Sequence, residues 1–81
     1  MAREQPQIQF GKTLQKLRVQ QNLTQEALAE KADISRRQVQ RLEAGLQGPN
    51  IDTLVRLRFA LDCSWDELMH GINGDPYEGL R

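Results

Sequence analysis

The tightest constraint on this chain is the stretch from Leu23 to Glu43, which holds two helix starts, Thr24 and Ser35, eleven positions apart. Thr24 is a strong N-cap residue, and Leu23 before it pairs with Leu28 as a hydrophobic staple. Ser35 followed three residues later by Gln38 is a capping-box pattern, with Ile34 and Val39 as a second staple. Between the two helical runs lies only Ala32-Asp33-Ile34, and Asp33 tolerates a left-handed backbone. Two helices this short, joined this tightly, make a compact corner rather than a bundle hairpin. Ala29 is small where the next helix has to cross closely.

The second of these helices, Ser35 to Glu43, is the more polar. At roughly 100° per residue, Val39 and Leu42 fall on one side, and Arg36, Arg37, Gln40 and Arg41 share another arc. Taken alone, that arc has two readings. It is a solvated polar face, as most exposed helix faces are, or it is a set of long hydrogen-bond donors able to reach base edges in a DNA groove.

The flanking sequence supplies a core for the corner to rest on. Residues 1–7 are polar and contain Pro6, and read as a flexible N-terminal arm. From Ile8 the pattern is helical, with Phe10, Leu14 and Leu17 spaced as one buried stripe and Asn22 as a left-handed terminator. After Glu43, the run Ala44-Gly45-Leu46-Gln47-Gly48-Pro49 is a loop. Asn50 caps a fourth helix with Ile51, Leu54, Leu57 and Leu61 on one face. Ser64 and Glu67 form another capping box, and Cys63 with Leu68 a third staple, opening a short fifth helix through Met69. Residues 71–81, polar and glycine-rich, read as a flexible C-terminal tail. No strand pattern is present. The expected fold is therefore all-α: one compact five-helix domain over residues 8–70, with the tight corner at helices 2 and 3.

Charge and cysteine content narrow the function classes. The 81 residues carry no net charge, which argues against a sequence-blind nucleic-acid binder, but the charge is unevenly placed. Residues 1–41 hold eight Lys/Arg against four Asp/Glu, a net of +4, whereas residues 42–81 hold three against seven, a net of −4. An anionic partner is expected at the N-terminal half. No apolar run approaches the roughly 18 residues of a membrane span, and no apolar N-terminal segment resembles a secretion signal. With a single cysteine, Cys63, a reducing cytoplasm is the expected compartment. His70 is the sole histidine, and neither it nor Cys63 has a partner at catalytic or metal-ligand spacing. Asp66-Glu67 is first-turn charge favoured by the helix dipole. No enzyme, metal or cofactor is expected.

The ordered string Phe10-Gly11, Leu14, Leu17-Arg18, Leu23-Thr24-Gln25, Leu28-Ala29, Ile34-Ser35, Leu42-Glu43, Gly45, Pro49, Leu54, and Leu61 through Ser64 to Leu68 resembles the phage-repressor-like (Cro/repressor, Xre-type) helix-turn-helix family of bacteria and phages. The resemblance covers residues 10–69. It implies a lambda-repressor-like DNA-binding domain whose third helix lies in the major groove of double-stranded DNA, usually within a homodimer. By position it implies base readout by Arg36, Arg37 and Arg41, with Gln40 able to reach a base or the sugar-phosphate. It implies backbone contact by Gln25 and Thr24, with Ser35 chiefly a cap and secondarily a phosphate contact. Arg18 and Glu43 resemble the family's internal ion pair, tying the first helix to the end of the third.

Several residues depart from that pattern. The loop Leu46-Gln47-Gly48 lacks the cations that many relatives place against phosphates, so affinity for unrelated DNA is expected to be lower. Asp33 stands where glycine is usual, and Arg58 where a small buried residue is usual; Arg58 either finds a partner or snorkels outward. Phe59 falls at a usually polar position; left exposed, it forms with Trp65 a candidate dimer patch, and otherwise both pack into the core or under the tail. These departures motivate an alternative, a protein-interaction module or antitoxin-type partner that keeps the fold and binds another protein.

Overall fold

The structure, a computed structural model, describes residues 5–72. They form five helices, α1 (Pro6–Gln20), α2 (Gln25–Ala32), α3 (Arg36–Glu43), α4 (Ile51–Leu61) and α5 (Trp65–Leu68), and no strand is present among them.

Three of the four connections follow one grammar. Asn22, Asp33 and Asp62 each take left-handed backbone, with φ of 59°, 56° and 49°. The residue after each closes the helix behind it: Leu23 N–H donates to Arg18 O, Ile34 N–H to Ala29 O, and Cys63 N–H to Arg58 O. This is the Schellman ending, in which a left-handed residue lets the chain satisfy carbonyls the helix leaves open. The next residue then caps the following helix, with the Thr24, Ser35 and Ser64 hydroxyls accepting from the N–H groups of Ala27, Gln38 and Glu67. At Ser35 and Ser64 the third helical residue also reaches back, completing both capping boxes. Each corner thus turns on a three-residue unit, preceded at the α1–α2 corner by Gln21, and the apolar middle residue serves the helices on both sides. The fourth connection begins in the same way, with left-handed Gly45 followed by Leu46 N–H donating to Arg41 O. It then runs as a longer loop to the Asn50 cap, whose side chain accepts from Thr53 N–H.

Phe10 and Leu14 of α1, Leu28, Ala29 and Ala32 of α2, Val39 and Leu42 of α3, Leu57 and Leu61 of α4, and Cys63 and Leu68 form one buried cluster. Leu17, Leu23, Ile34 and Leu54 pack against it, partly buried. Ile51 departs from the expected stripe and is 76% exposed. The rotation explains this: at roughly 100° per residue Ile51 lies about 120° from Leu57, whereas Thr53 lies about 40° from it. Thr53 is the residue buried at that end of α4.

Both ends of the domain also differ from expectation. The helix begins at Pro6 and not Ile8, because proline at the first helical position gives up no internal hydrogen bond and already has helical φ. Gln7, expected in the arm, donates from Nε2 to Gly45 O at 3.1 Å. Gly71 and Ile72, expected in the tail, fold back on the domain, with Ile72 against the core and Gly71 beside Gln9. The rest of the expected arm (1–4) and tail (73–81) lies outside the described residues.

Gly11 sets how closely α1 approaches α3. A Cβ there would lie 2.8 Å from Glu43 O and closer still to Leu42 O, both backbone atoms that cannot swing aside. Alanine in a helix interior normally stabilises relative to glycine by about 0.5–1 kcal/mol. Here the expected sign is reversed: Gly11→Ala should destabilise by about 1–3 kcal/mol, read as a lower urea midpoint. An unchanged or raised midpoint would mean that the two helices can move apart freely.

Candidate nucleic-acid interface

Helix α3 is held at both ends and left open along one face. At its start the Ser35 Oγ–Gln38 N and Ser35 N–Gln38 Oε1 bonds, each 3.0 Å, commit Gln38 to the cap. Val39 and Leu42 anchor it in the core. At its end Glu43, about 40° round from Val39, points inward and pairs with Arg18.

That pair is bidentate: Arg18 Nε lies 2.6 Å from Glu43 Oε2, and Nη2 lies 3.0 Å from Oε1. The side chains are only 12% and 4% exposed. Arg18 Nη1 also donates to Leu23 O at 2.8 Å, so one guanidinium joins α1, the α1–α2 corner and the end of α3. The hydrogen bond to Glu43, helped by its charge and opposed by burial, raises the Arg18 pKa.

Gln25 belongs to the same network, which sequence reasoning did not foresee. Its Nε2 donates to Glu43 Oε1 at 3.0 Å, leaving its carbonyl oxygen and second amide hydrogen for other contacts. The Thr24 and Ser35 hydroxyls accept cap bonds and keep their own O–H free to donate. An open cleft of about 440 Å³ is walled by Arg18, Thr24, Gln25, Glu26 and Arg36. The start of α2 and the start of α3 therefore face a common space.

On the outer arc Arg36, Arg37 and Gln40 are exposed, and Arg41 is half-buried. Arg41 is the exception for a specific reason. Its Nε donates to Gln47 Oε1 at 2.9 Å, so it leans toward the loop after α3. In sequence Gln47 stands out only as a non-basic loop residue. The turn itself is set by Asp33, whose carboxylate and carbonyl both accept from Arg56 Nη1, at 3.1 and 3.3 Å.

A second surface lies on α4 and α5. Phe59 is 73% exposed and Trp65 43%. The Arg58 guanidinium lies 5.7 Å from the Phe59 ring centre and 5.2 Å from that of Trp65, within cation–π range of both. Arg58 therefore has partners, and they are aromatic faces, although its buried Nε has no hydrogen bond. Ile51, Val55 and Phe59, four residues apart and all exposed, continue this surface along the side of α4 opposite the core. Cys63 is buried, and burial, then the nearby Glu67 carboxylate, push its thiol pKa up, the opposite of an activated nucleophile. No helix among the described residues is long and apolar enough to cross a membrane.

Comparison with known proteins points the same way. The model of the helix-turn-helix family matches residues 14–68, more than half of the chain. The chain is 38% identical over 64 residues to the HTH-type transcriptional activator BcrR of Enterococcus faecalis, covering 79% of this chain and 31% of that protein. It is 37% identical over 62 residues to the uncharacterized HTH-type transcriptional regulator YqaE of Bacillus subtilis (strain 168), covering 76% of this chain and 53% of that protein. The chain thus spans about a third and about half of these two relatives. Among solved structures it resembles the restriction-modification controller protein C.AhdI from Aeromonas hydrophila. That match has a TM-score of 0.74 at 32% identity and covers 76% of this chain and 94% of that one. In fold, in the match over residues 14–68 and in these relatives, the chain belongs to the phage-repressor-like (Cro/repressor, Xre-type) helix-turn-helix family, a family of DNA-binding transcription regulators and not of enzymes.

Proposed function

We propose that the chain binds double-stranded DNA sequence-specifically, as a cytoplasmic regulator of transcription that lays α3 in the major groove. The observation that carries this reading is the open face of α3. Arg36, Arg37 and Gln40 are exposed on a helix whose every other side is tied down by caps, core and ion pair. Arg36, Arg37 and Arg41 are the base readers, since arginine pairs bidentately with guanine O6 and N7. Gln40 reaches a base or the adjoining sugar-phosphate. Thr24, Gln25 and Ser35, with the N–H groups at the start of α2, contact phosphates and set the register.

Two copies on an inverted repeat complete the proposal, meeting through Phe59 and Trp65, with half-site centres about 34 Å apart, or one turn. An exposed aromatic pair continuous with Ile51 and Val55 supports this, because apolar surface of that kind is usually covered in use. The same surface motivates the second reading, a module that binds another protein.

Selection of binding sites from random duplex DNA, run at two salt concentrations, tests the proposal. The expected result is an enriched palindrome with at least one G·C pair in each half. Its affinity should fall steeply with salt, the logarithm of K changing by about 0.9 per phosphate engaged per tenfold step. Selection that enriches no sequence would sink the DNA reading. An affinity for a protein partner that ignores salt would favour the second reading.

A further inference from the structure

The loop after α3 offers no cation, yet it holds one. Gln47 Oε1 accepts from Arg41 Nε at 2.9 Å, and both side chains are half-buried. The ground on which Gln47 stands is fixed. Gly45 N–H donates to Leu42 O and Leu46 N–H to Arg41 O, so the loop leaves α3 in a set direction. Gly45 packs on Ile8, and its carbonyl accepts from Gln7 Nε2. The acceptor that holds Arg41 is thus tied to both α3 and α1.

A guanidinium has two edges that can make paired hydrogen bonds, Nε with Nη2 and Nη1 with Nη2. With Nε on Gln47, the first edge is occupied and the second is free. The bond also removes rotamers that an unheld arginine would have to give up on binding. Arg36 and Arg37, both exposed, have no such restraint among the described residues.

We propose that Gln47 is a specificity-determining positioning residue, which holds Arg41 so that its Nη1–Nη2 edge meets the O6 and N7 of one guanine. The assignment rests on the reading of α3 as the DNA-reading helix. It gives the non-basic loop a role in base choice instead of in phosphate binding.

The test uses the full chain, the duplex that selection enriches most, and copies of that duplex changed at one base pair at a time. Dissociation constants are measured for wild type, Arg41→Ala, Gln47→Met and Gln47→Glu, with Tm recorded for each. Arg41→Ala is expected to flatten the preference at one G·C pair. Gln47→Met keeps the length but removes the acceptor, and should lower the preference at that same pair by about tenfold, leaving other positions and Tm as they were. Gln47→Glu restores an acceptor and should keep the preference there while weakening binding to every duplex alike. If Arg41→Ala flattens one pair and Gln47→Met leaves that pair intact, or weakens all positions equally, the assignment is overturned while the reading of α3 stands. If Arg41→Ala changes no pair, Arg41 is not a base reader and the assignment falls with that role.

Discussion

Glu43→Ala is expected to destabilise the protein by about 3–5 kcal/mol, because it strands a buried guanidinium. Arg18 is 12% exposed and gives two of its hydrogen bonds to Glu43, so without the carboxylate only the Leu23 carbonyl remains of its described partners. Gln25 loses its anchor in the same step. Small domains have only about 5–15 kcal/mol in total, and one of 81 residues is expected near the lower end. At about 4–8 °C per kcal/mol for a domain of this size, the melting point should fall by more than about 12 °C. Thermal unfolding followed by circular dichroism reads it directly. Replacing both partners together, Arg18→Met with Glu43→Leu, should recover much of the loss, since what costs most is the unpaired charge. A single variant that melts with wild type would show that water reaches the pair freely. The raised Arg18 pKa also fixes a sign. Its contribution is fully present below the unfolded-state value and lost only as pH rises through the folded one, so this group brings no loss of stability on acidification.

The triple substitution of Arg36, Arg37 and Arg41 by alanine has the opposite signature. Arg36 and Arg37 are exposed and Arg41 half-buried, none belongs to the core cluster, and alanine favours helix. The melting point should therefore stay within a few degrees of wild type. Operator binding should fall to the level of unrelated DNA, since each arginine–guanine pair discriminates by about 1–3 kcal/mol. The loss over three sites is thus about 3–9 kcal/mol if they add. Fluorescence anisotropy with the selected duplex and a scrambled one separates the two quantities. Equal affinity of the triple variant and wild type for the selected duplex would remove these residues from base reading. The pair of experiments is complementary: one variant loses stability and the other the ligand.

What was legible in the sequence was what is local. Thr24, Ser35, Asn50 and Ser64 each act within three residues, so their hydroxyl or amide oxygens could be matched to an N–H by counting, and all four make the bond. Left-handed Asn22 and Asp33 follow from the same short-range chemistry. Arg18–Glu43, 25 residues apart, was legible only through resemblance to a family. The features missed need segments that meet only in three dimensions. Gly11 matters through the carbonyls of Leu42 and Glu43 on another helix. The Gln47–Arg41 and Gln25–Glu43 bonds exist only once the loop turns one glutamine toward Arg41 and the fold turns the other toward Glu43. Ile51 was misplaced for a simpler reason: spacings of three drift around a helix, and a stripe extended to its first residue had rotated out of the core. For Phe59 and Trp65, exposure was one of two readings the sequence left open, and the guanidinium beside both rings was not legible at all.

The three-residue corners have a consequence for how binding energy is distributed. An isolated eight-residue helix is almost entirely coil in water, because too few hydrogen bonds follow its costly first turn. Here α3 enters through a corner whose left-handed residue, apolar residue and cap leave no hinge, and it ends on a buried carboxylate. The backbone entropy of making the helix is therefore settled when the chain folds, before any ligand arrives. Any association through α3 then requires ordering of its side chains, with no folding of the α3 backbone coupled to it. Any heat-capacity change beyond what the interface area accounts for should therefore come from outside α3.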